Sequence, residues 1–283
     1  MTAYTAHLQL HAAALLVGVS AVLGQSLTVG PGLIVLGRAA FALLALSALL
    51  MLLKRRPWQG LSSVAIIQLM GLGLALGVHW ILFFLAVQTG GVAVATLGFA
   101  TFPAFTALIE RLLGQPIGRR DLLILALVTI GLLLVTPSFD LADASTEGLL
   151  WGLLSGASYA AIAVVNKRFS TRVEGLTSCW WQCLAISLVL LPWYWSDIPQ
   201  ISARDWWQLM ALGLICTALA YSLFIAALRQ VRAHTAAVVI AMEPIYAIAG
   251  AWLVFGSAPT PGMLAGGALI LGAVAWAGLR PRN

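Results

Sequence analysis

Long apolar runs separated by short polar or charged segments dominate the pattern along the chain. A transmembrane helix needs about 20 predominantly apolar residues. On that criterion the pattern predicts helices at approximately 7–24, 31–53, 63–87, 91–111, 121–137, 148–166, 175–195, 206–228, 234–256 and 260–279. A very short joint, from Gln88 to Gly91, separates the third and fourth runs. The pattern therefore predicts an all-α membrane protein with ten transmembrane helices.

The composition excludes a water-soluble fold. Hydrophobic residues make up 61% of the chain and charged residues 8%, whereas about 25% of the residues of a typical soluble domain are charged. With so few charges, the surface is expected to face a lipid bilayer. The first apolar run has no Lys or Arg before it and is expected to be a retained helix rather than a signal peptide.

The basic residues gather at one face of the predicted bundle. Thirteen of the 15 Lys and Arg residues follow an even-numbered helix: Lys54, Arg55, Arg56, Arg111, Arg119, Arg120, Lys167, Arg168, Arg172, Arg229, Arg232, Arg280 and Arg282. Basic loops of membrane proteins face the cytoplasm, so both termini are expected to be cytoplasmic. We therefore expect a multi-pass protein of the cell inner (plasma) membrane.

Two segments of the chain repeat one pattern. Residues 80–103 align without a gap with residues 221–244, at an offset of 141 residues. The offset spans five helices, an odd number, so the second copy is expected to cross the membrane in the opposite sense. The pattern predicts two inverted five-helix repeats, at 1–137 and 148–283, which in transporters surround a cavity at the membrane midplane.

The charges and prolines of the two segments agree with inversion. The connector at 88–91 is uncharged, whereas its counterpart carries Arg229 and Arg232. Pro103 and Pro244 match, and both are predicted to lie inside equivalent helices, where a proline frees a backbone carbonyl and favours a kink. Whether the two kinks contact a substrate or only pack the helices stays open.

The second half resembles a known family. Residues 234–274, with Glu243 and Pro244 before an apolar run, a turn at Gly256 and a Gly-rich last helix, resemble the closing signature of the drug/metabolite transporter (DMT) superfamily, EamA-type branch. Residues 96–135 repeat that outline, and Arg38 resembles the arginine of the family's second helix. The resemblance implies two five-helix units that export or exchange amino acids or other small metabolites without ATP hydrolysis.

Two positions depart from this resemblance. Phe102 stands before Pro103 in the first half, where the second half has Glu243. The turn at Gly256 also lacks the acidic residue that the family often has after that glycine. Both departures bear on how far a residue-level mechanism carries over, while the fold that the resemblance implies is unaffected.

Glu243 and Arg38 are the sharpest candidates for a substrate or coupling site. Glu243 lies about 14 Å into its predicted helix, at 1.5 Å per residue, and an ionisable residue at that depth normally faces a cavity or a partner. It is expected to bind a substrate amine or to take up a proton. Arg38 is expected to attract a carboxylate. A structural ion pair between the two residues, or an Arg38 that reaches to the outer interface, stays open.

Aromatic and polar residues complete the candidate site. Trp80 and Tyr221, its repeat mate, are expected to line a cavity for an apolar or aromatic side chain, with ordinary helix packing as the alternative. His79 points about 100° away from Trp80 on a helix, and no partner has metal-ligand spacing. Tyr159 joins the site as a polar intramembrane group, although such groups, like Gln182 and Thr217, also hold helices together.

What the sequence lacks narrows the function further. Neither lysine belongs to a P-loop, the short basic clusters are not a nucleic-acid surface, and no cofactor or metal is expected. The cysteines Cys179, Cys183 and Cys216 are interpreted as small buried hydrophobes. The favoured function is a secondary transporter working by alternating access, with or without protons. A membrane-embedded enzyme, a channel and a non-transporting membrane scaffold are the alternatives.

Three small-xxx-small patterns bear on assembly. They are Gly73 and Gly77, Gly152 and Gly156, and Gly262 and Gly266, and they favour close helix contact. Such patterns are common in a chain with 27 glycines, so a monomer and a homodimer both stay open.

Overall fold

The computed structural model describes residues 3–114, 118–135, 140, 142–169, 173–228, 239–240 and 242–278. Within these ranges the chain forms helices and no strands, which confirms the predicted all-α class. The helices are α1 (Ala3–Ser26), α2 (Pro31–Leu52), α3 (Ser63–Phe99), α4 (Phe102–Leu112), α5 (Arg119–Val135), α6 (Ala144–Phe169), α7 (Gly175–Tyr194), α8 (Ala203–Gly213), α9 (Ala220–Leu228), α10 (Glu243–Phe255) and α11 (Pro261–Gly278). A 3₁₀ turn, Ile198–Gln200, precedes α8, and a π-helix, Leu214–Leu219, joins α8 to α9.

Helix length and apolar composition fit a multi-pass membrane protein. In the described ranges, six segments are long and apolar enough to cross a bilayer: Tyr4–Ser26, Pro31–Leu52, Ser63–Phe99, Ala144–Val165, Gly175–Tyr194 and Ala203–Phe224. Three shorter apolar helices accompany them: Leu122–Val135, Glu243–Phe255 and Pro261–Trp276. The basic residues Arg172, Arg229, Arg232, Arg280 and Arg282 lie outside the described residues.

A break at Gly91 interrupts α3. Its backbone has φ 81° and ψ 166°, a conformation that glycine adopts without the steric cost of a side chain. The Val92 amide, freed by the break, donates to Gln25 Oε1 at 3.1 Å, and Gln88 Nε2 donates to the Val29 carbonyl at 2.9 Å. Side chains therefore satisfy the backbone at this break, which lies in the joint that the sequence predicts between its third and fourth apolar runs.

Close glycine contacts hold the helices of one chain together. Gly152 lies against Ala95 and Gly98, so that a Cβ at residue 152 would come within 3.0 Å of the Ala95 carbonyl oxygen. In the same way Gly73 faces the backbone of Gln182, and Gly262 faces the carbonyl of Leu134. These contacts join α3 to α6, α3 to α7, and α11 to α5. The three small-xxx-small patterns therefore serve contacts within the chain.

The largest buried cluster lies where α2, α3, α7 and α8 meet. Phe84, Ile34, Leu46 and Leu209 are fully enclosed in it. The described cysteines Cys179, Cys183 and Cys216 are free and buried in the same cluster, in agreement with their interpretation as small hydrophobes. This core fixes α2 and the π-helix next to each other, and both contribute to the site described below.

Polar contacts join distant segments at the two ends of α2. Before α2, the Thr28 hydroxyl donates to Asp205 Oδ2 at 2.5 Å, and Asp205 is almost fully buried at the start of α8. After α2, Arg55 forms an ion pair with Glu174, which precedes α7. Ion pairs as exposed as Arg55–Glu174 contribute about 0–1 kcal/mol, so the buried contact at Asp205 is the stronger constraint on α2.

Candidate functional site

The chain contains two helix starts with the same backbone geometry. α4 begins at Phe102 after Thr101, whose φ and ψ are −77° and −6°. α10 begins at Glu243 after Met242, whose φ and ψ are −80° and −1°. The Ala104 amide donates to the Thr101 carbonyl at 2.9 Å, and the Ile245 amide to the Met242 carbonyl at 3.0 Å. Equivalent residues in the two starts are 141 positions apart, the offset of the sequence repeat.

The prolines lie in the first turns of these helices and not inside continuous ones. α3 ends at Phe99, and Pro103 follows in the first turn of α4; Pro244 occupies the same turn of α10. The helix is therefore interrupted just before each proline, where the sequence predicted one continuous helix, and the kink itself stays a prediction. The physical reason is that proline lacks an N–H, and the first turn of a helix is the place where that N–H has no helical partner.

Glu243 is the first residue of α10 and is 5% exposed. Its carboxylate has no hydrogen-bond or ion-pair partner among the described residues. The positive end of the α10 dipole stabilises a negative charge on this carboxylate.

Arg38 is buried, and neutral groups surround its guanidinium. Nε donates to Thr217 Oγ1 at 2.7 Å, Nη1 lies 3.4 Å from Ser20 Oγ, and Cζ lies 4.2 Å from the centroid of the Trp80 ring. A desolvated cation–π contact of this kind contributes about 2 kcal/mol. Towards the described residues, the guanidinium thus uses Nε and Nη1 as its hydrogen-bond donors.

Arg38 and Glu243 do not form a direct ion pair. Within the described ranges, the ion pair is that of Arg55 with Glu174. Both residues nevertheless contact the same turn of α1. A Cβ at Gly18 would lie 3.1 Å from the Glu243 carbonyl oxygen, and Ser20 Oγ lies 3.4 Å from Arg38 Nη1.

Tyr159 and Tyr221 pack in two different places. Tyr159, in α6, contacts the rings of His79 and Phe102. Tyr221, in α9, is partly buried against the large core that contains Trp80. Trp80 itself contacts Arg38 through its ring and is almost fully buried.

His79 faces α6 and not Arg38. Its Nδ1 lies 3.0 Å from both the hydroxyl and the carbonyl oxygen of Ser155. Its ring lies 5.1 Å from the Tyr159 ring and 5.3 Å from the Phe99 ring, between centroids. Phe102 stacks on Phe99 at 5.5 Å and meets Tyr159 edge-on. His79 therefore belongs to an aromatic cluster beside the start of α4, formed with Phe99, Phe102 and Tyr159.

Two residues of the site were not predicted from the sequence. Ser20, beside Arg38, and Ser155, beside His79, are both almost fully buried. Single serines within the apolar runs were the available signal. Thr217 was recognised as a polar intramembrane residue, but not as the partner of Arg38, because the π-helix that directs it leaves no mark on the hydrophobic pattern.

This region of the structure contains opposite charges and ring surfaces. Arg38 carries N–H donors, Glu243 carries carboxyl oxygens, and Phe99, Phe102 and Tyr159 contribute aromatic rings. In the described residues, no three His, Cys, Asp or Glu side chains come together in a way that holds a metal ion.

Several transporters are similar to this chain. A transporter from Archaeoglobus fulgidus is 30% identical over 68% of this chain and 69% of its own. The pseudopaline exporter CntI of Pseudomonas aeruginosa is 28% identical over 79% and 78% of the two chains. The threonine/homoserine exporter RhtA of Escherichia coli is 27% identical over 80% and 77%. The names of these relatives describe transport and not catalysis.

A solved structure and a family match agree with this similarity. A crystal structure with 18% sequence identity superposes with a TM-score of 0.65 over 96% of both chains, and it therefore shares the fold. Residues 5–136 and 146–279 each match the EamA-like transporter family, so nearly the whole chain is covered by two matches. On these findings, the chain belongs to the EamA-like transporter family.

Proposed function

We propose that this chain is a secondary transporter that exports amino acids or similar small zwitterionic metabolites across the inner membrane by alternating access. One observation carries the proposal: Arg38 and Glu243 are both almost fully buried, both contact the same turn of α1 through Ser20 and Gly18, and they form no ion pair with each other. Leaving two charges buried and unpaired is costly. A ligand with a carboxylate and an ammonium group would satisfy both.

The proposed architecture consists of ten transmembrane helices in two inverted repeats, 1–137 and 148–283. α3 has 37 residues, or about 55 Å of helix, which exceeds the hydrocarbon thickness of about 30 Å. Its break at Gly91 supports two crossings. The two family matches begin at residues 5 and 146, and this separation of 141 residues equals that of the two helix starts. These equal offsets support the repeat.

Packing around the two helix starts supports the same repeat. Tyr159 of α6 contacts Phe102 at the start of α4, and Gly18 of α1 packs against Glu243 at the start of α10. Tyr159 and Gly18 are again 141 positions apart. Broken helices whose starts face a shared cavity are a known device of transporters with inverted repeats. The basic loops at one face support cytoplasmic termini.

Flux through purified protein in liposomes tests this function. We would measure initial rates for threonine, homoserine and other amino acids, each beside its N-acetyl and primary-amide analogues, with and without a pH gradient. A hydrogen bond to a charged group is worth about 1.5–3 kcal/mol, so each analogue is expected to move about 10–100-fold more slowly than its parent. A rate that rises with the pH gradient would identify protons as coupling ions.

Two results would count against the proposal or against part of it. Absence of flux for every amino acid, from protein whose circular dichroism and thermal unfolding show an intact helical fold, would contradict amino-acid transport. Flux of the parent compounds and of both analogues at equal rates would contradict the assigned roles of Arg38 and Glu243, while it would leave a transport function in place.

A further inference from the structure

Thr217 makes the shortest hydrogen bond that the structure gives Arg38. Its Oγ1 lies 2.7 Å from Arg38 Nε, and both side chains are buried, with 5% and 6% of their surfaces exposed. Thr217 belongs to the π-helix between α8 and α9, whereas Arg38 belongs to α2. The bond therefore joins the two proposed halves at the charged site.

The π-helix determines whether the Thr217 hydroxyl donates to Arg38 or accepts from it. Its Oγ1 also lies 2.8 Å from the carbonyl oxygen of Leu212, five residues earlier, and donates to it. A hydroxyl has a single hydrogen to donate. Since that hydrogen is used on Leu212, the remaining lone pairs of Oγ1 face Arg38 as acceptors. The hydroxyl can then only accept from Nε, which suits an arginine that is always protonated.

Gly213 lets this segment approach α2 closely. A Cβ at residue 213 would lie 2.8 Å from the carbonyl oxygen of Arg38 and 2.9 Å from the Ala42 amide nitrogen. Contacts this short leave no room for any larger side chain without a shift of backbone. The glycine and the π-helix together bring Thr217 to hydrogen-bond distance from Arg38.

The bond at Nε determines which edge of the guanidinium points away from Thr217. Arginine has five N–H donors in a rigid plane. Thr217 takes the donor at Nε, Ser20 approaches Nη1, and Trp80 covers one face. The edge formed by Nη1 and Nη2 points away from Nε, and two parallel N–H groups are what a carboxylate binds in bidentate fashion.

We propose that Thr217 is a positioning residue that turns the Nη1–Nη2 edge of Arg38 toward a substrate carboxylate, and so sets the preference for carboxylates over neutral analogues. This inference rests on the proposed function, because it assigns Arg38 the carboxylate end of the substrate. Without the bond to Thr217, the guanidinium rotates about its own side chain and presents the edge less often.

Two substitutions that remove the hydroxyl test the proposal against one that keeps it. Thr217→Val preserves shape, Thr217→Ala removes bulk as well, and Thr217→Ser retains the hydroxyl as the matched control. The measurement is the ratio of kcat/KM for a transported amino acid to that for its primary amide, with full-length protein in liposomes. We expect the ratio to fall about tenfold in both hydroxyl-free variants, the effect of about one net hydrogen bond, and to stay unchanged in Thr217→Ser.

A second background separates positioning from general stability. Lysine has no guanidinium and therefore no Nε–H that could bond to Thr217. In the Arg38→Lys background, adding Thr217→Val should therefore lower the ratio no further. Equal losses for the amino acid and its amide, or a ratio that is unchanged in both hydroxyl-free variants, would overturn the proposal. If thermal unfolding shows that Thr217→Val is not folded, the ratio measured for Thr217→Ala decides whether the proposal holds. A wild-type ratio near one would instead show that the proposed function has failed, since no carboxylate preference would exist.

Discussion

The two helix starts at Phe102 and Glu243 share a backbone but not a chemistry. Both follow a residue with nearly equal φ and ψ, both carry proline in the first turn, and neither has a side-chain cap. Phe102 stacks on Phe99 among other aromatic rings, whereas Glu243 is a carboxylate without a partner in the described residues. The shared geometry makes the difference between the two side chains informative.

The helix that packs on each start differs in the same way. At the first start, α6 contributes the ring of Tyr159, 5.3 Å from the ring of Phe102. At the second start, α1 contributes Gly18, which allows the backbones of α1 and α10 to approach closely. The first start thus lies in an aromatic cluster, whereas the second start carries a charged side chain and is tightly packed against α1. We infer that the repeat supplies two equivalent helix starts, and that the first has an apolar role and the second a polar role in the site.

The largest expected effect comes from removing the charge at the second start. Glu243→Gln keeps the size and removes the charge, so an ammonium group loses a charged acceptor worth about 1.5–3 kcal/mol. We expect kcat/KM for amino-acid transport to fall about 10–100-fold. Phe102→Leu at the equivalent position of the first start keeps an apolar side chain and is expected to cost less than about fivefold. Initial rates in liposomes measure both variants.

Specific results would contradict the different roles that we assign to the two helix starts. Equal losses in Glu243→Gln and Phe102→Leu would mean that both starts act through packing and not through charge. Wild-type rates in Glu243→Gln, at every pH at which wild type is active, would exclude Glu243 both as the ammonium site and as a coupling group.

A smaller effect, on stability, is expected where α1 packs on the second start. In Gly18→Ala the new Cβ would lie 2.9 Å from the Ala247 amide nitrogen and 3.0 Å from Tyr246 Cβ. Overpacking of this kind costs about 1–3 kcal/mol, so the unfolding temperature in detergent should fall by several degrees. Tyr159→Phe, at the corresponding position of α6, removes a hydroxyl that has no partner in the described residues, and it should change that temperature little.

Gly71→Ala is the matched control for the effect of the alanine itself. Gly71 lies in α3 and has no neighbour within 4 Å of an added Cβ. Alanine favours a helix by up to about 1 kcal/mol over glycine, so this variant should be as stable as wild type or more so. If Gly18→Ala is equally harmless, α1 does not pack against α10 as closely as the structure indicates.

The sequence predicted the broad fold well because that information is local. Apolar runs of sufficient length identified membrane helices, and the short joint with Gly91 fell where the α3 backbone departs from a helix. The charged candidates were also evident, since an ionisable residue stands out in an apolar run. Arg38 and Glu243 were chosen in this way, and in the structure both contact α1, through Ser20 and Gly18.

The details of the site could not be predicted, because they depend on distant contacts. The sequence suggested Glu243 as a partner for Arg38 on the basis of charge, whereas the structure gives Arg38 a hydrogen bond to Thr217, 179 residues away. The prolines were interpreted as kinks because a proline marks an irregular place in a helix without saying whether the helix bends or starts again. That choice depends on the hydrogen bonds of the residues just before it, such as Thr101.

The smallest effect is expected from the prolines themselves, and it distinguishes a helix start from a kink. At Pro103 and Pro244 no helical hydrogen bond is lost to the missing N–H, so Pro103→Ala and Pro244→Ala should each change the free energy of unfolding by less than about 0.5 kcal/mol. Pro192 lies inside α7, where proline removes a hydrogen bond and costs about 3 kcal/mol, so Pro192→Ala should shift the unfolding temperature more than either first-turn variant. A large shift for only one of the first-turn prolines would show that the two starts differ in backbone energetics as well as in side chains, because the Thr101 hydroxyl, which donates to the Gly98 carbonyl at 2.7 Å, supports only the first.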